Sequence, residues 1–213
     1  MGVIKQGILG GVSGGVGTVI GGSWKGINYL RARPSSIANP NTDKQVDQRS
    51  KFSTVIGFLR PLTSFLSVSF RNYAIGMSGF NVAMSYNIKN AVTGISPNFA
   101  IDYPSALLSK GNLAKAFNPQ VAVTGGNTIA FSWVDNSNEN NANSDDVALL
   151  AAYFEDNGQA AYQFTTVKRS ELTANLSIPE SYAGFTAQCW IVFQKADGRE
   201  CSNSLYVGQV TMA

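Results

Sequence analysis

The feature that most constrains the fold is a series of seven short β-prone segments between Pro119 and the end of the chain. Turn residues separate these segments, which are Val121–Thr124, Thr128–Trp133, Val147–Phe154, Ala160–Thr165, Ala174–Ile178, Phe185–Lys195 and Ser204–Thr211. Seven short strands in roughly 95 residues are typical of a two-sheet sandwich. We therefore predict an all-β sandwich of the fibronectin-type-III or immunoglobulin kind over residues 118–213, with Trp133 in its core.

Residues 1–117 predict a glycine-rich β arm followed by a helical region, so the predicted fold class of the whole chain is α+β. β-branched residues favour a strand over Val16–Ile20, and Ser23–Arg33 predicts a second strand that ends at Pro34. Glycine readily adopts the positive φ angles of tight hairpins. We therefore predict the turn of this arm at Gly21-Gly22.

Two helices are predicted between the arm and the sandwich. The first begins near Thr42, where residues 42–45 fit a capping box, and its apolar face is formed by Phe52, Val55, Ile56, Leu59, Leu62 and Leu66. Pro61 is expected to kink this helix or to open a new one. A second helix over residues 78–92 is followed by a predicted edge strand over 99–108, which a proline interrupts. We expect the helices to bury their faces on each other or on the arm.

Charge is scarce and unevenly distributed, since only 14% of the residues are charged. Residues 1–115 hold 12 Lys and Arg against 3 Asp and Glu, a net charge of +9, whereas residues 116–213 hold 4 against 10, a net charge of −6. This asymmetry predicts either a basic half that faces an anion or subunits that meet basic end to acidic end. Two domains with unlike surfaces would give the same pattern.

The two cysteines are not expected to form a disulfide. Cys189 and Cys201 flank a predicted hairpin turn at Asp197-Gly198, which places Gln194 opposite Cys201. Cys189 is five positions from Gln194 and therefore faces the other side of the sheet. Free thiols fit synthesis in the cytoplasm. The glycine-rich start does not fit a classical signal peptide, and we predict no membrane span.

The composition argues against an enzyme, because the chain contains no histidine. Serine–histidine and cysteine–histidine catalysis, the usual zinc sites and the commonest general base near neutral pH are therefore excluded. The glycines from Gly15 to Gly21 do not fit a dinucleotide fingerprint, since their spacing is one residue too long and no helix is expected to follow. We predict no catalytic residue and no cofactor.

One loop, residues 135–146, is rich in Asn and Asp and offers oxygen ligands of the kind that calcium prefers. Its candidate ligands are Asp135, Asn138, Asp145 and Asp146. The loop lacks the glycine and the terminal glutamate of an EF-hand. A solvated connection between strands is the favoured interpretation, so we predict no metal site.

Five residues of the arm are candidates for an interaction surface: Trp24, Lys25, Tyr29, Arg31 and Arg33. Basic side chains contact phosphates and aromatic side chains stack on bases, so this group would suit a nucleic acid. A solvated helix face together with contacts between subunits is the favoured interpretation of the basic residues in this half.

Blocks spread along the chain also resemble a known but uncharacterised family. They include Gly7–Gly11, Gly17–Gly21, Trp24-Lys25-Gly26, Gln48–Phe52, Phe58–Leu62, Phe80–Ala83 and Asn98–Tyr103. The chain resembles a domain-of-unknown-function family found in Bacteroidota and their phages. The resemblance implies a glycine-rich start, a helical middle and a sandwich at the end, and it implies no catalytic residues.

These observations lead to a functional hypothesis. We expect a non-catalytic structural or assembly protein, a virion or filament subunit that self-associates through its β arm, with itself and other virion or filament proteins as partners. Its final location would be a virion or an extracellular assembly. One alternative is a surface-binding module whose sandwich loops hold a glycan or a protein. A second is a nucleic-acid-associated protein that uses the basic half.

Overall fold

The computed structural model describes residues 3–4, 11–24, 26–36, 41–125 and 127–212. The chain forms two compact units, residues 1–45 and 46–213. The expected boundary between 117 and 118 thus lies inside the second unit, because the helices form a common core with one sheet of the sandwich. The two units are described separately below.

The first unit contains a four-stranded antiparallel sheet with the strand order β1-β2-β3-β4. The strands are β1 (Val3–Ile4), β2 (Val12–Val16), β3 (Val19–Trp24) and β4 (Ile27–Ala32). One turn lies at Gly17 and Thr18 and another includes Gly26, and both glycines have positive φ angles, +55° and +82°. The sequence correctly indicated a β arm but divided it into two strands at the wrong place.

The predicted turn at Gly21-Gly22 was wrong, because both glycines lie inside β3. Gly21 pairs with Leu30 and Gly22 with Tyr29. A Cβ atom on Gly21 would overlap the backbone carbonyl oxygen of Val12, and one on Gly22 would lie 2.9 Å from the Tyr29 ring. These glycines therefore permit close approach rather than a change of chain direction.

The second unit begins with helices close to the predicted positions. They are α1 (Asp43–Leu59), a 3₁₀ turn (Arg60–Leu62), α2 (Thr63–Ser69) and α3 (Gly79–Asn90). Pro61 lies in the 3₁₀ turn, where its missing N–H is tolerated, and α2 opens directly afterwards. The Ser78 side chain accepts a hydrogen bond from the Asn81 N–H and caps α3.

The segment after α3 differs from the prediction. It forms a two-stranded hairpin, β5 (Val92–Ile95) and β6 (Asn98–Ile101). The single strand predicted over residues 99–108 ends at Ile101, and a 3₁₀ turn over Tyr103–Ser105 contains Pro104. A proline fixes φ near −65° and suits such a turn better than a strand interior.

The sandwich contains the seven predicted strands. They are β7 (Phe117–Val123), β8 (Thr128–Val134), β9 (Val147–Phe154), β10 (Gln159–Lys168), β11 (Thr173–Ser177), β12 (Thr186–Gln194) and β13 (Leu205–Thr211). A sheet with the order β11-β8-β7 faces a sheet with the order β10-β9-β12-β13. Trp133 is buried in the core between the sheets, as predicted.

Strands β9 and β12 are buried on both faces. Alternate residues such as Leu150 and Ile191 face the core between the sheets, whereas Leu149 and Trp190 belong to a second core that they share with the helices. The Phe58 ring of α1 lies 5.8 Å from the Trp190 ring. The helices therefore cover the outer face of this sheet, which was not predicted. They also pack on each other, as expected, since α1, α2 and α3 contribute to one core and Gly79 of α3 lies against the Leu66 carbonyl of α2.

The cysteines agree with the prediction. Cys189 and Cys201 are free and buried, and Gln194 pairs with Cys201 across the hairpin. Cys189 lies in the core between the sheets and Cys201 in the core shared with the helices. The two thiols consequently belong to opposite faces of one sheet.

The helical stretch Asp43–Ser69 is long and apolar enough to cross a membrane, with a mean hydropathy of 1.2 in its most apolar window. The sequence nevertheless predicts no membrane span. Leu59, Leu62 and Leu66 of this stretch are buried in the core of the second unit. A core helix passes the same test of length and composition.

Candidate functional site

The most exposed apolar surface of the arm is formed by β4 and the end of β3. All six residues of β4 are exposed. Four large side chains of this region are largely accessible: Ile27 (67%), Leu30 (62%), Trp24 (56%) and Tyr29 (48%). Clustered exposure of this kind is typical of an interaction surface, since isolated apolar residues are common on protein surfaces but groups of them are not.

The pairing of β3 with β4 assigns these side chains to two faces. Trp24 pairs with Ile27, and Gly22 pairs with Tyr29, so these residues share one face with Arg31. The opposite face carries Asn28, Leu30 and Ala32. Because Gly22 has no side chain, the Tyr29 ring can lie across β3 at that position. Both faces of the arm therefore present apolar groups.

The five predicted interaction residues meet this surface to different degrees. Trp24, Tyr29 and Arg31 lie on one face of the sheet, and Arg33 is exposed directly after β4. Lys25 lies outside the described residues. The structure thus brings three of the predicted residues together on one face of the arm.

The candidate calcium loop is organised by a buried arginine. Arg169 is completely buried, and its Nη2 lies 3.0 Å from Asp146 Oδ2. Its Nη1 donates to Asn136 Oδ1 at 2.8 Å, and its Nη2 donates to the Ala114 carbonyl at 2.9 Å. The Asp135 carboxylate accepts a hydrogen bond from the Ser137 N–H. Two of the four candidate calcium ligands, Asp135 and Asp146, are therefore engaged within the chain.

Arg169 was not identified from the sequence. Its guanidinium lies 3.8 Å from the centre of the Phe193 ring, and its carbonyl accepts a hydrogen bond from Trp133 Nε1 at 2.7 Å. Burial lowers the pKa of Arg169 from its ordinary value, and the nearby Asp146 carboxylate opposes that effect. The surrounding sequence, Lys168 to Glu171, is polar and lies between two predicted strands, so it gives no sign of a buried charge. Only the three-dimensional structure shows that the loop closes over this charge.

Two neighbouring clefts beside α3 were also not predicted. One has a volume of about 480 Å³ and the other of about 390 Å³, and Tyr86 and Asn90 line both. Lys115 lines the first, while Lys89 and Lys110 line the second. Among the residues that the structure describes, no acidic side chain lines either cleft. The lysines come from separate segments, so the sequence revealed only the basic character of this half.

Within the described ranges, no group of three or more His, Cys, Asp or Glu side chains could hold a metal ion. The candidates Asn138 and Asp145 are both exposed in the loop. Burial raises the pKa of Cys189 to about 12 and that of Cys201 to about 11. Thiols with such pKa values are largely protonated near neutral pH and are poor nucleophiles.

These observations define a class of protein: a fibronectin-like β-sandwich with helices on one sheet, preceded by a separate β arm. The chain belongs to DUF6266, a family of unknown function, whose pattern matches residues 11–208. The match includes most of the arm, the helices and nearly all of the sandwich. The resemblance to an uncharacterised domain family is thereby confirmed.

No curated protein matches the chain. Among solved structures, it is similar to the fibronectin type III domain of the human collagen α1(XX) chain, with 11% identity over 49% of this chain and 90% of that one, and a TM-score of 0.35. It is also similar to a segment of two fibronectin type III domains from chicken tenascin, with 13% identity over 57% of this chain and 61% of that one, and a TM-score of 0.34.

Proposed function

We propose that this protein is a non-catalytic structural subunit that self-associates through its β arm. The observation that carries the proposal is that every residue of β4 is exposed, with Ile27 and Leu30 more than 60% accessible. Hydrating such side chains is unfavourable, and burying one of them fully stabilises a protein by about 1.5–3 kcal/mol. Association with another protein surface would recover that free energy.

The backbone of the arm supports the same function. Strand β4 has no hydrogen-bonded neighbour beyond β3 among the strands that the structure describes. Unpaired strand edges readily add a strand from another chain unless charge, proline or a covering element blocks them. Although Arg31 places one charge on β4, no proline interrupts Ile27–Ala32.

A virion or filament is the kind of assembly that we propose for the subunit. The scarcity of charge supports a role in extensive protein contacts, since charged residues are depleted from interface cores. The acidic residues 116–213 would form the surface facing outward from such an assembly. The resemblance to a family of Bacteroidota and their phages supports the virion in particular.

Two matched glycine substitutions test the role of the arm in the full-length chain. A Cβ atom at Gly21 would overlap the carbonyl of Val12 in the neighbouring strand, whereas one at Gly15 would meet nothing within 4 Å. We expect sedimentation velocity to show oligomers for the wild-type and Gly15→Ala chains. Gly21→Ala should weaken association while leaving the unfolding transition of the second unit in place.

The same measurement can overturn the proposal. Wild-type protein that stays monomeric at high concentration, at both low and high salt, would contradict self-association. Oligomers that are equally stable with Gly21→Ala would place the contact outside the arm.

A nucleic-acid-associated role is the second candidate, favoured by the two basic clefts beside α3. Lys89 and Lys110 lie in one cleft with Tyr73 and Tyr86, and basic grooves with aromatic side chains suit single strands. Fluorescence anisotropy with a single-stranded oligonucleotide would test this role. Binding that weakens with salt and is lost in Lys89→Glu would support it, and absence of binding at low salt would contradict it.

A further inference from the structure

The backbone groups of β4 divide into two sets. The Arg33 N–H donates to the Thr18 carbonyl, which shows that Arg33 directs its backbone groups toward β3. Hydrogen-bonded and non-hydrogen-bonded pairs alternate along an antiparallel ladder. Residues 27, 29 and 31 therefore also bond to β3, and Asn28, Leu30 and Ala32 direct their N–H and C=O groups toward the open edge.

The edges of the sandwich differ from this open edge. Strand β7 lies beside β13, and β10 lies beside β11, so the two sheets of the sandwich approach each other along both sides. A strand added there would have to separate neighbouring strands. No strand that the structure describes lies beyond the β4 edge in its own unit, and an identical edge on a second copy supplies the same pattern of donors and acceptors.

We propose that two copies of the chain pair their β4 edges in antiparallel orientation about a two-fold axis that passes between the two Leu30 residues. This inference rests on the proposed function and specifies the contact. The two four-stranded arm sheets would then form one continuous sheet. Leu30 pairs with Leu30 of the second copy, and Asn28 pairs with Ala32.

The backbone favours this register over its neighbours. With Leu30 at the axis, each outward-facing residue of β4 meets another outward-facing residue, and all three pairs exchange two hydrogen bonds each. Centring on Tyr29 would leave Ala32 without a partner inside β4. Centring on Arg31 would set two arginines directly opposite each other, which is destabilising.

Side-chain chemistry favours the same register. On one face, Tyr29 of each copy lies opposite Arg31 of the other, so two cation–π contacts form across the axis. On the other face, the Leu30 side chains contact each other, and a cross-strand apolar pair stabilises a sheet. The exposed groups of β4 are thus complementary to a second copy of themselves.

Charge gives the contact a characteristic response to salt. The arms are basic, with Arg31 and Arg33 at or near the edge, so two copies repel each other at long range. Screening by salt should strengthen the pairing. A nucleic acid bound to the same arginines would respond in the opposite direction, because salt weakens phosphate contacts.

Single cysteines in the full-length chain test the register under mild oxidation. Opposite residues of a hydrogen-bonded pair have Cα atoms about 5.5 Å apart, which suits a disulfide. Leu30→Cys should therefore form covalent dimers. The corresponding separations are about 8 Å for Tyr29→Cys and about 14 Å for Asn28→Cys, beyond disulfide reach. The native thiols are buried and should remain reduced.

A mixture of Asn28→Cys and Ala32→Cys chains provides a second test that does not alter Leu30. Neither variant should cross-link alone at high yield, whereas the mixture should form heterodimers. Cross-linking of Leu30→Cys and of this mixture would support the proposal. If the chain self-associates but Tyr29→Cys cross-links instead, or neither Leu30→Cys nor the mixture does, the proposed pairing is overturned. Assembly through the arm then stands if Gly21→Ala still weakens association. A monomeric chain would overturn both.

Discussion

The arm and the sandwich are both built from antiparallel strands, yet they differ in how far their apolar side chains are buried. In β9 and β12, nearly every side chain is buried, because a second sheet covers one face and the helices cover the other. In β4 every residue is exposed. The apolar side chains of β9 and β12 are therefore buried by other parts of the chain, whereas those of β4 remain exposed to solvent.

This difference separates residues that serve stability from residues that serve association. Truncating Leu149 or Phe58 removes contacts within the folded chain, whereas truncating Ile27 or Leu30 removes surface that only another molecule can cover. Unfolding measurements should therefore respond to the first group, and association measurements to the second.

The largest expected effect comes from removing the buried positive charge of Arg169 in the second unit. Arg169→Ala leaves Asp146 buried without its cation, and breaking a buried ion pair in this way costs about 3–5 kcal/mol of folding free energy. Urea denaturation of the full chain measures this loss. The exposed neighbour Lys168→Ala should change stability by less than about 0.5 kcal/mol. A loss below about 1 kcal/mol for Arg169→Ala would show that the loop does not depend on this charge.

A matched pair of leucines tests the comparison directly. Leu149 is 1% exposed beneath the helices and Leu30 is 62% exposed on the arm. Leu149→Ala should lower the free energy of unfolding by about 2–5 kcal/mol, and Leu30→Ala by less than about 0.5 kcal/mol. Sedimentation should show the opposite order, because Leu30→Ala should weaken association more than Leu149→Ala. Equal effects of both substitutions on unfolding would remove the distinction between the two regions.

For each buried thiol and each pH unit, a smaller effect is expected from pH. Burial raises the pKa of Cys189 to about 12 and of Cys201 to about 11, compared with 9.0 for an unperturbed thiol. Above about pH 9 the unfolded chain releases protons that the folded chain retains, so stability falls as pH rises. The slope is about 1.4 kcal/mol per pH unit for each thiol.

Unfolding in urea at several pH values between about 8.5 and 10.5 measures this slope. Burial of Tyr153 also raises its pKa, so tyrosine adds to the loss at the upper end of the range. Cys189→Ala should remove the contribution of that thiol to the loss of stability with rising pH. A stability that does not change over this range would contradict the burial of the thiols.

The sandwich could be predicted strand by strand because turn residues bracket each apolar segment. The prediction failed where one residue type serves two purposes. Gly21 and Gly22 indicated a turn, but the close approach of Val12 and Tyr29 requires glycine equally well. The hairpin over residues 92–101 was missed because its strands are only four residues long.

One signal for the packing of the helices was present in the sequence. Residues 147–154 are almost uninterruptedly apolar, a pattern that indicates a strand buried on both faces rather than one with a solvated side. The partners of Arg169 could not be predicted in this way. Ala114, Asn136 and Asp146 are distant in sequence, and nothing in their spacing indicates that they surround one side chain.

The two-sided burial of β9 and β12 also limits how evolution can reuse this sandwich. Excising the sandwich without its helices would expose Trp190 and Leu149 to water. A fragment that keeps this core intact is therefore residues 46–212, helices included.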